Sequence, residues 1–230
     1  MPSGDDLLSP QITLTRSFRF LGTNFSSIFV SINGVLIFSD SINPVGAQAF
    51  STLTYAAIGP YWQDMDTSRV GKIYYKQTTN VTVLNNLAAD LASTFGTMSL
   101  QWAFIASWIN VYAFGQKSGT GNTFQVILTT DGVKSFIVGN YKNLTSFQNA
   151  SIGCSLGDGV NFFQYFGSFT AQIVNVVQNS NVNKTGLYAF EVSSAFSSTI
   201  VPTSTTSTTA TSHSCSSIIN SYGGFCEGIF

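Results

Sequence analysis

The chain has 230 residues, of which 44% are hydrophobic and only 8% are charged, whereas about 25% charged residues are usual in a soluble domain. A net charge of −1 with nine Lys and Arg residues excludes the dense cationic surface that a nucleic-acid partner requires. No apolar run reaches the ~20 residues that cross a bilayer, so the sequence predicts no membrane span in this chain.

The chain begins without the features of a secretion signal. Residues 1–6 lack the basic start and the apolar stretch of a signal peptide. We therefore expect a fragment of a longer, secreted protein whose leader is absent; the alternative is a protein that is not secreted. Residues 1–17 are interpreted as an N-terminal extension of the first domain.

The first predicted element is a β-hairpin. Two runs of aromatic and β-branched residues, 27–32 and 35–38, flank Asn33-Gly34. This dipeptide is typical of a two-residue hairpin turn in which both residues adopt positive φ.

Two carboxylates follow within an aromatic segment, at Asp64 and Asp66. In an extended chain these i, i+2 neighbours project from one face. Three roles stay open. They could form a turn, bonding backbone N–H groups or Arg69. They could bind Ca²⁺ together with Asp131 or Asp158; no other cofactor is expected. They could also serve as a glycosidase pair.

A single amphipathic helix is predicted over residues 83–95. Leu84, Leu87 and Leu91 recur at helical spacing. Thr82 is the predicted N-cap, and Gly96 is the predicted end of the helix.

The remaining elements are predicted strands. A second hairpin joins 124–128 to 135–138 through Asp131-Gly132, and the last strand covers 185–192. Phe124, Val126 and Leu128 share one face, while Ile127 lies on the other, so both faces of the sheet are covered. The predicted fold class is mainly β: an antiparallel β-sandwich-like domain with one amphipathic helix packed on it.

A change of composition marks the end of the domain. Residues 195–214 are rich in Ser and Thr and are interpreted as a mucin-like linker that cannot form a packed core. Residues 215–230 are interpreted as the start of another Cys-containing module, in which Cys215 and Cys226 could form a disulfide. Cys154 is interpreted as a small buried residue.

Five Asn-x-Ser/Thr sequons are predicted N-glycosylation sites: Asn24, Asn80, Asn143, Asn149 and Asn183. The three tryptophans lie in apolar runs, which favours core packing: Trp62, Trp102 and Trp108. Tyr61, Tyr74 and Tyr75 are candidates for a partly exposed aromatic patch, but at most one of Tyr74 and Tyr75 can join it, because neighbouring residues of a strand point to opposite faces.

Several motifs, in consistent order, resemble those of the nidogen-like (NIDO) domain family of nidogens, tectorins and membrane mucins. They are Pro60-Tyr61-Trp62-Gln63-Asp64-Met65-Asp66-Thr67, Gly71-Lys72-Ile73-Tyr74-Tyr75, Asn122-Thr123-Phe124-Gln125-Val126 and Ser180-Asn181-Val182. Departures from the family pattern are Cys154 in place of an aromatic residue and Gln63 in place of a small one. The resemblance places the domain at residues 18–194.

The resemblance implies an extracellular, non-enzymatic module for cell–matrix adhesion or extracellular matrix assembly, in a secreted protein or an ectodomain. Its partners would be matrix or cell-surface proteins and, in some cases, glycans. The predicted partner contacts are Tyr61, Asp64, Asp66 and Arg69. The alternative function is a Ca²⁺-assisted, lectin-like domain. An enzyme is not expected, because the domain has no His and no Gly-x-Ser-x-Gly motif.

Overall fold

The computed structural model describes residues 1–39, 42–145 and 149–195. Three predictions fall outside these residues: the linker from residue 196 onward, the Cys215–Cys226 disulfide and the module that follows it. Within the described ranges, no helix combines the length and the hydrophobicity that crossing a bilayer requires.

Two antiparallel sheets pack face to face. The strands of the first sheet are Ile12–Phe20 (β1), Thr23–Val30 (β2), Leu36–Ile37 (β3), Ala57–Trp62 (β4), Ser151–Ser155 (β10) and Phe162–Gln164 (β11), in the spatial order β1-β2-β3-β4-β10-β11. Those of the second sheet are Met65–Asp66 (β5), Lys72–Thr78 (β6), Trp102–Ala113 (β7), Asn122–Thr130 (β8), Ser135–Asn143 (β9) and Leu187–Glu191 (β12). Their order is β12-β9-β8-β7, and both β5 and β6 pair with the remaining edge of β7.

Helical structure is limited in the described residues to the α-helix Val81–Phe95 (α1) and two short 3-10 helices, Phe50–Thr52 and Ala171–Val177. The predicted fold class, a mainly β, sandwich-like domain with one helix on it, is therefore confirmed.

The alternation of side chains along β8 separates two hydrophobic clusters. Phe124, Val126 and Leu128 lie between the sheets, as predicted, whereas Ile127 lies in a second cluster with the buried leucines of α1. Burying a leucine contributes roughly 1.5–3 kcal/mol. The helix thus covers the outer face of the second sheet.

The helix begins two residues earlier than predicted, and its N-cap is Asn80 instead of Thr82. The Asn80 side chain accepts a hydrogen bond from the Val83 N–H at 3.2 Å. Asn is among the strongest N-cap residues, and Thr82 lies inside the first turn. Gly96 ends the helix with φ 78°, as predicted.

The first hairpin has a three-residue loop instead of the predicted two-residue turn. The Ser31 N–H donates to the Val35 carbonyl at 2.9 Å, and the Gly34 N–H donates to the Ser31 carbonyl at 3.3 Å. Gly34 has φ 75° but Asn33 is not in the left-handed region, so the prediction of positive φ at both residues is wrong. This pattern fits a turn followed by a left-handed glycine.

Two amide side chains cover exposed strand edges. Gln77 accepts the Thr15 N–H at 2.7 Å and donates to the Thr13 carbonyl at 2.9 Å, on the outer edge of β1. Asn181 donates to the Ala189 carbonyl at 2.8 Å and accepts its N–H at 2.9 Å, on the outer edge of β12. Both side chains satisfy backbone groups that would otherwise be open to another strand.

Residues 1–17, which the sequence analysis set apart as an extension, are part of the folded domain. β1 begins at Ile12, the Ile32 N–H donates to the Leu7 carbonyl at 2.9 Å, and the Thr67 N–H donates to the Gly4 carbonyl at 2.9 Å. The N-terminal segment therefore packs along the hairpin and β5, at the end of the sandwich where the aspartate motif lies.

Candidate functional site

Asn33 fixes this end of the sandwich. Its side chain is fully buried, and its Nδ2 donates to the Asp6 carboxylate at 2.8 Å and to the carbonyls of Pro44 at 3.0 Å and Val45 at 2.7 Å. Its Oδ1 accepts the Met65 N–H at 2.8 Å. One side chain thus joins the N-terminal segment, the loop before β4, and β5.

Three carboxylates meet beside Asn33. One oxygen each from Asp5, Asp6 and Asp64 lies within 4.8 Å of the others. Burial raises the pKa of the Asp64 carboxyl, and the charges of Asp6, Asp5 and Asp66 raise it further. Burial, with the charges of Asp6 and Asp66, also raises the pKa of Asp5. Carboxylate oxygens at this spacing could hold a hard cation such as Ca²⁺. Sequence analysis missed Asp5 and Asp6 because it placed them outside the domain.

Asp66 closes its own turn and lies outside this group of three. Its carboxylate accepts the Ser68 N–H at 2.7 Å and the Ser68 hydroxyl at 2.8 Å, which agrees with the turn hypothesis. Arg69 is exposed, and the ion pairs found between described residues do not include it. Asp64 and Asp66, expected to project from one face, therefore have different neighbours.

Asp131 and Asp158 do not join the aspartate group, contrary to the calcium hypothesis built on them. Asp131 accepts the N–H groups of Val133 and Lys134 in the β8–β9 turn. That turn lies at the opposite end of β7 from β5. Asp158 accepts the backbone N–H of Asn161 and its side-chain amide, which lower the pKa of Asp158.

Tyr61 cannot contact a partner, so this part of the predicted contact surface is wrong. Its side chain is 0% exposed and packs edge-on against Phe124 between the sheets. The ring of Tyr61 points to the inner face of β4, where the surroundings are apolar. Tyr74 and Tyr75 are half-buried, and Tyr75 stacks on Phe104.

All three tryptophans lie in the core, as predicted. The Trp108 Nε1 donates to the carbonyls of Ser31 and Ile32, at 3.1 Å each. Cys154 is a free, buried residue of β10, and burial raises the pKa of its thiol to about 12. It is therefore a packing residue, as predicted.

A cleft of about 530 Å³ opens next to Asp64. Asp66 does not line it, so the two carboxylates do not share a cleft as a glycosidase pair would. Phe114 stands at the cleft with 60% of its surface exposed, and sequence analysis did not single it out. The lining residues are Gln63, Asp64, Ala113, Phe114, Gly115, Gln116, Thr145 and Asn149.

The predicted glycosylation sites differ in accessibility. Four of the asparagines are exposed: Asn24, Asn80, Asn149 and Asn183. Asn143 is half-buried, and its Nδ2 donates to the Gly121 carbonyl at 2.9 Å. Asn149 and Asn183 both have positive φ, 53° and 57°, a conformation that Asn tolerates better than most residues.

Comparison with known proteins finds relatives that carry the same kind of domain. The family model of the nidogen-like domain matches residues 26–194. Alpha-tectorin of Gallus gallus is 33% identical over 211 residues, covering 83% of this chain and 10% of that protein. Nidogen-1 of Homo sapiens is 23% identical over 232 residues, covering 88% and 18%. Mucin-4 of Mus musculus is 27% identical over 179 residues, covering 67% and 5%.

The chain thus spans less than a fifth of the length of each of these relatives. No solved structure matches it.

Proposed function

The chain belongs to the family of nidogen-like domains, and on this premise we propose that it is an extracellular, non-enzymatic interaction module of cell–matrix adhesion or extracellular matrix assembly. Nidogen-1 and alpha-tectorin among its relatives support this proposal. The structural observation that supports it most directly is the placement of the aspartate motif. Residues 60–67 lead from a buried strand to a surface that presents Asp64 and Asp66.

The proposed contact surface consists of Asp64, Asp66 and Arg69, without the buried Tyr61. Asp66 and Arg69 belong to one short turn, and the backbone just before it is held to the next loop, because the Phe114 N–H donates to the Asp64 carbonyl at 2.9 Å. Loops held on a rigid β scaffold are common binding sites.

Alanine replacement tests this surface. The double variant Asp64→Ala, Asp66→Ala should lower attachment of cells to the immobilised domain, with folding checked by circular dichroism. Asp158→Ala is the matched control, because Asp158 also closes an exposed turn but belongs to the β10–β11 loop. If the double variant keeps full adhesion while folded, this surface is not the contact site.

The second candidate is a Ca²⁺-assisted, glycan-binding domain, and the group formed by Asp5, Asp6 and Asp64 favours it. Calcium would neutralise the carboxylates of Asp5 and Asp6, whose charges contribute to the raised pKa of Asp64. This candidate requires that chelation lower both the melting temperature and sugar binding. A glycan array that shows no binding with Ca²⁺ present, together with a melting temperature that Ca²⁺ leaves unchanged, would reject it.

A further inference from the structure

The cleft beside Asp64 contains an exposed aromatic ring and a glycosylation sequon. Phe114 and Asn149 both line it, although they are distant in sequence. Phe114 has 60% of its surface exposed at this cleft. A bound group can pack on it, because aromatic side chains supply a large apolar face.

Asn149 is well placed to carry a substituent into this cleft. Its side chain is exposed, and it stands at φ 53°, immediately before buried Ala150 and β10. The other polar residues around the cleft include Asp64, Gln116 and Thr145, of which Thr145 is also exposed. Sugar rings combine apolar C–H faces with hydroxyl groups, so a cleft with one aromatic ring and several polar groups suits them.

We propose that Asn149 is N-glycosylated and that the first sugar of its glycan packs on Phe114, so that the domain's own carbohydrate occupies the cleft. This inference rests on the proposed extracellular location, since only a secreted chain meets the glycosylation machinery. It adds to that proposal a specific modification and a specific intramolecular contact.

The modification is a group transfer from a lipid-linked diphosphate oligosaccharide. The Asn149 Nδ2 forms a bond to the anomeric carbon of the first N-acetylglucosamine and loses a proton. The bond from that carbon to the diphosphate oxygen breaks, and the lipid diphosphate leaves. In the fold, the sequon hydroxyl of Ser151 is fully buried and donates to the Gln48 carbonyl. The transfer must therefore precede the packing of β10, because the transferase reads this hydroxyl.

Asn183 provides a matched control. It is another exposed sequon asparagine at positive φ, and it does not line the cleft. The full chain should be secreted from a mammalian cell line, and the occupancy of each sequon measured by glycopeptide mass spectrometry. Melting temperatures are then compared for Asn149→Gln and Asn183→Gln, each with and without Phe114→Ala.

The proposal predicts that Asn149 is occupied and that Asn149→Gln lowers the melting temperature by about 2–4 °C more than Asn183→Gln does. In the Phe114→Ala background this difference should disappear. Enzymatic trimming of the wild-type glycans to a single N-acetylglucosamine should leave the melting temperature nearly unchanged, which is a readout that requires no substitution.

Two results would overturn the proposal: a bare Asn149 in a protein whose Asn183 is glycosylated, or a difference that persists without the Phe114 ring. Adhesion measured on the same samples separates this inference from the proposed function. If the coupling between Phe114 and the glycan is absent while adhesion is intact, only this inference is rejected. If the coupling is present while adhesion is absent, only the adhesion surface is rejected.

Discussion

Replacing Asn33 by Ala should remove a large part of the domain's stability. The side chain is fully buried and makes four hydrogen bonds: three from Nδ2 and one to Oδ1. Since an amide has only two N–H groups, two of the three contacts from Nδ2 share a hydrogen. The substitution leaves the Met65 N–H and the carbonyls of Pro44 and Val45 without this partner.

Because two contacts share one hydrogen, we count three full hydrogen bonds: two neutral ones at about 1 kcal/mol each and the one to the Asp6 carboxylate at about 1.5–3 kcal/mol, so the expected loss is about 3.5–5 kcal/mol. A typical domain has only about 5–15 kcal/mol in total. With a urea m-value of about 2 kcal/mol/M, the unfolding midpoint should fall by roughly 2 M.

Urea denaturation followed by tryptophan fluorescence measures this change. Asn43→Ala is the matched control, because exposed Asn43 bonds to the same N-terminal segment, donating to the Asp6 carbonyl at 2.8 Å; its loss should stay below about 1 kcal/mol. Limited proteolysis should also cut the N-terminal segment of the Asn33 variant first. A loss below 1 kcal/mol for Asn33→Ala would show that this side chain does not hold the three segments together.

Three further predictions concern other parts of the molecule. Asn181→Ala uncovers the N–H and carbonyl of Ala189 and should make the domain self-associate at high concentration; a variant that stays monomeric in analytical ultracentrifugation would contradict this. Cys154 should resist thiol reagents until the protein unfolds. Because burial raises the pKa of its thiol from 9.0 to about 12 in the fold, its contribution to stability is complete below about pH 9 and is lost as the pH rises towards 12. The loss should reach about 0.8 kcal/mol at about pH 9.5, and a Cys154→Ala variant with the same loss between pH 8 and 9.5 would refute this assignment. Without calcium, Asp64→Asn should raise the melting temperature by relieving repulsion. Ca²⁺ at 100 times its Kd should stabilise the wild type by about 2.7 kcal/mol and the variant much less; equal responses would exclude Asp64 as a ligand.

The fold was largely predictable because local patterns and tertiary contacts agree. The alternation at Phe124, Val126 and Leu128 places them between the sheets. The leucine spacing identifies the helix, and its apolar face packs as expected. The error in the N-cap arose because Asn80 and Thr82 are both good capping residues, and only the geometry of the first turn decides between them.

The site was less predictable because long-range contacts assemble it. Asp5 and Asp6 approach Asp64 only because the N-terminal segment pairs with the hairpin and β5, and no local pattern shows this. Tyr61 belongs to a strand buried on both faces, so its position next to the aspartates in sequence says nothing about its exposure. Phe114 is a single aromatic residue in a loop, a feature that carries no periodic signal.

The direction of the terminal strands has a mechanical consequence. β1 starts at the end of the sandwich that holds the aspartates, and β12 finishes at the opposite end, where the Leu21 N–H donates to the Val192 carbonyl at 2.7 Å. Tension applied between Ile12 and Glu191 would run parallel to the strands. Hydrogen bonds perpendicular to that force are sheared together instead of opening one by one. A domain attached through these two ends to a matrix and to a cell surface would therefore resist extension before it unfolds.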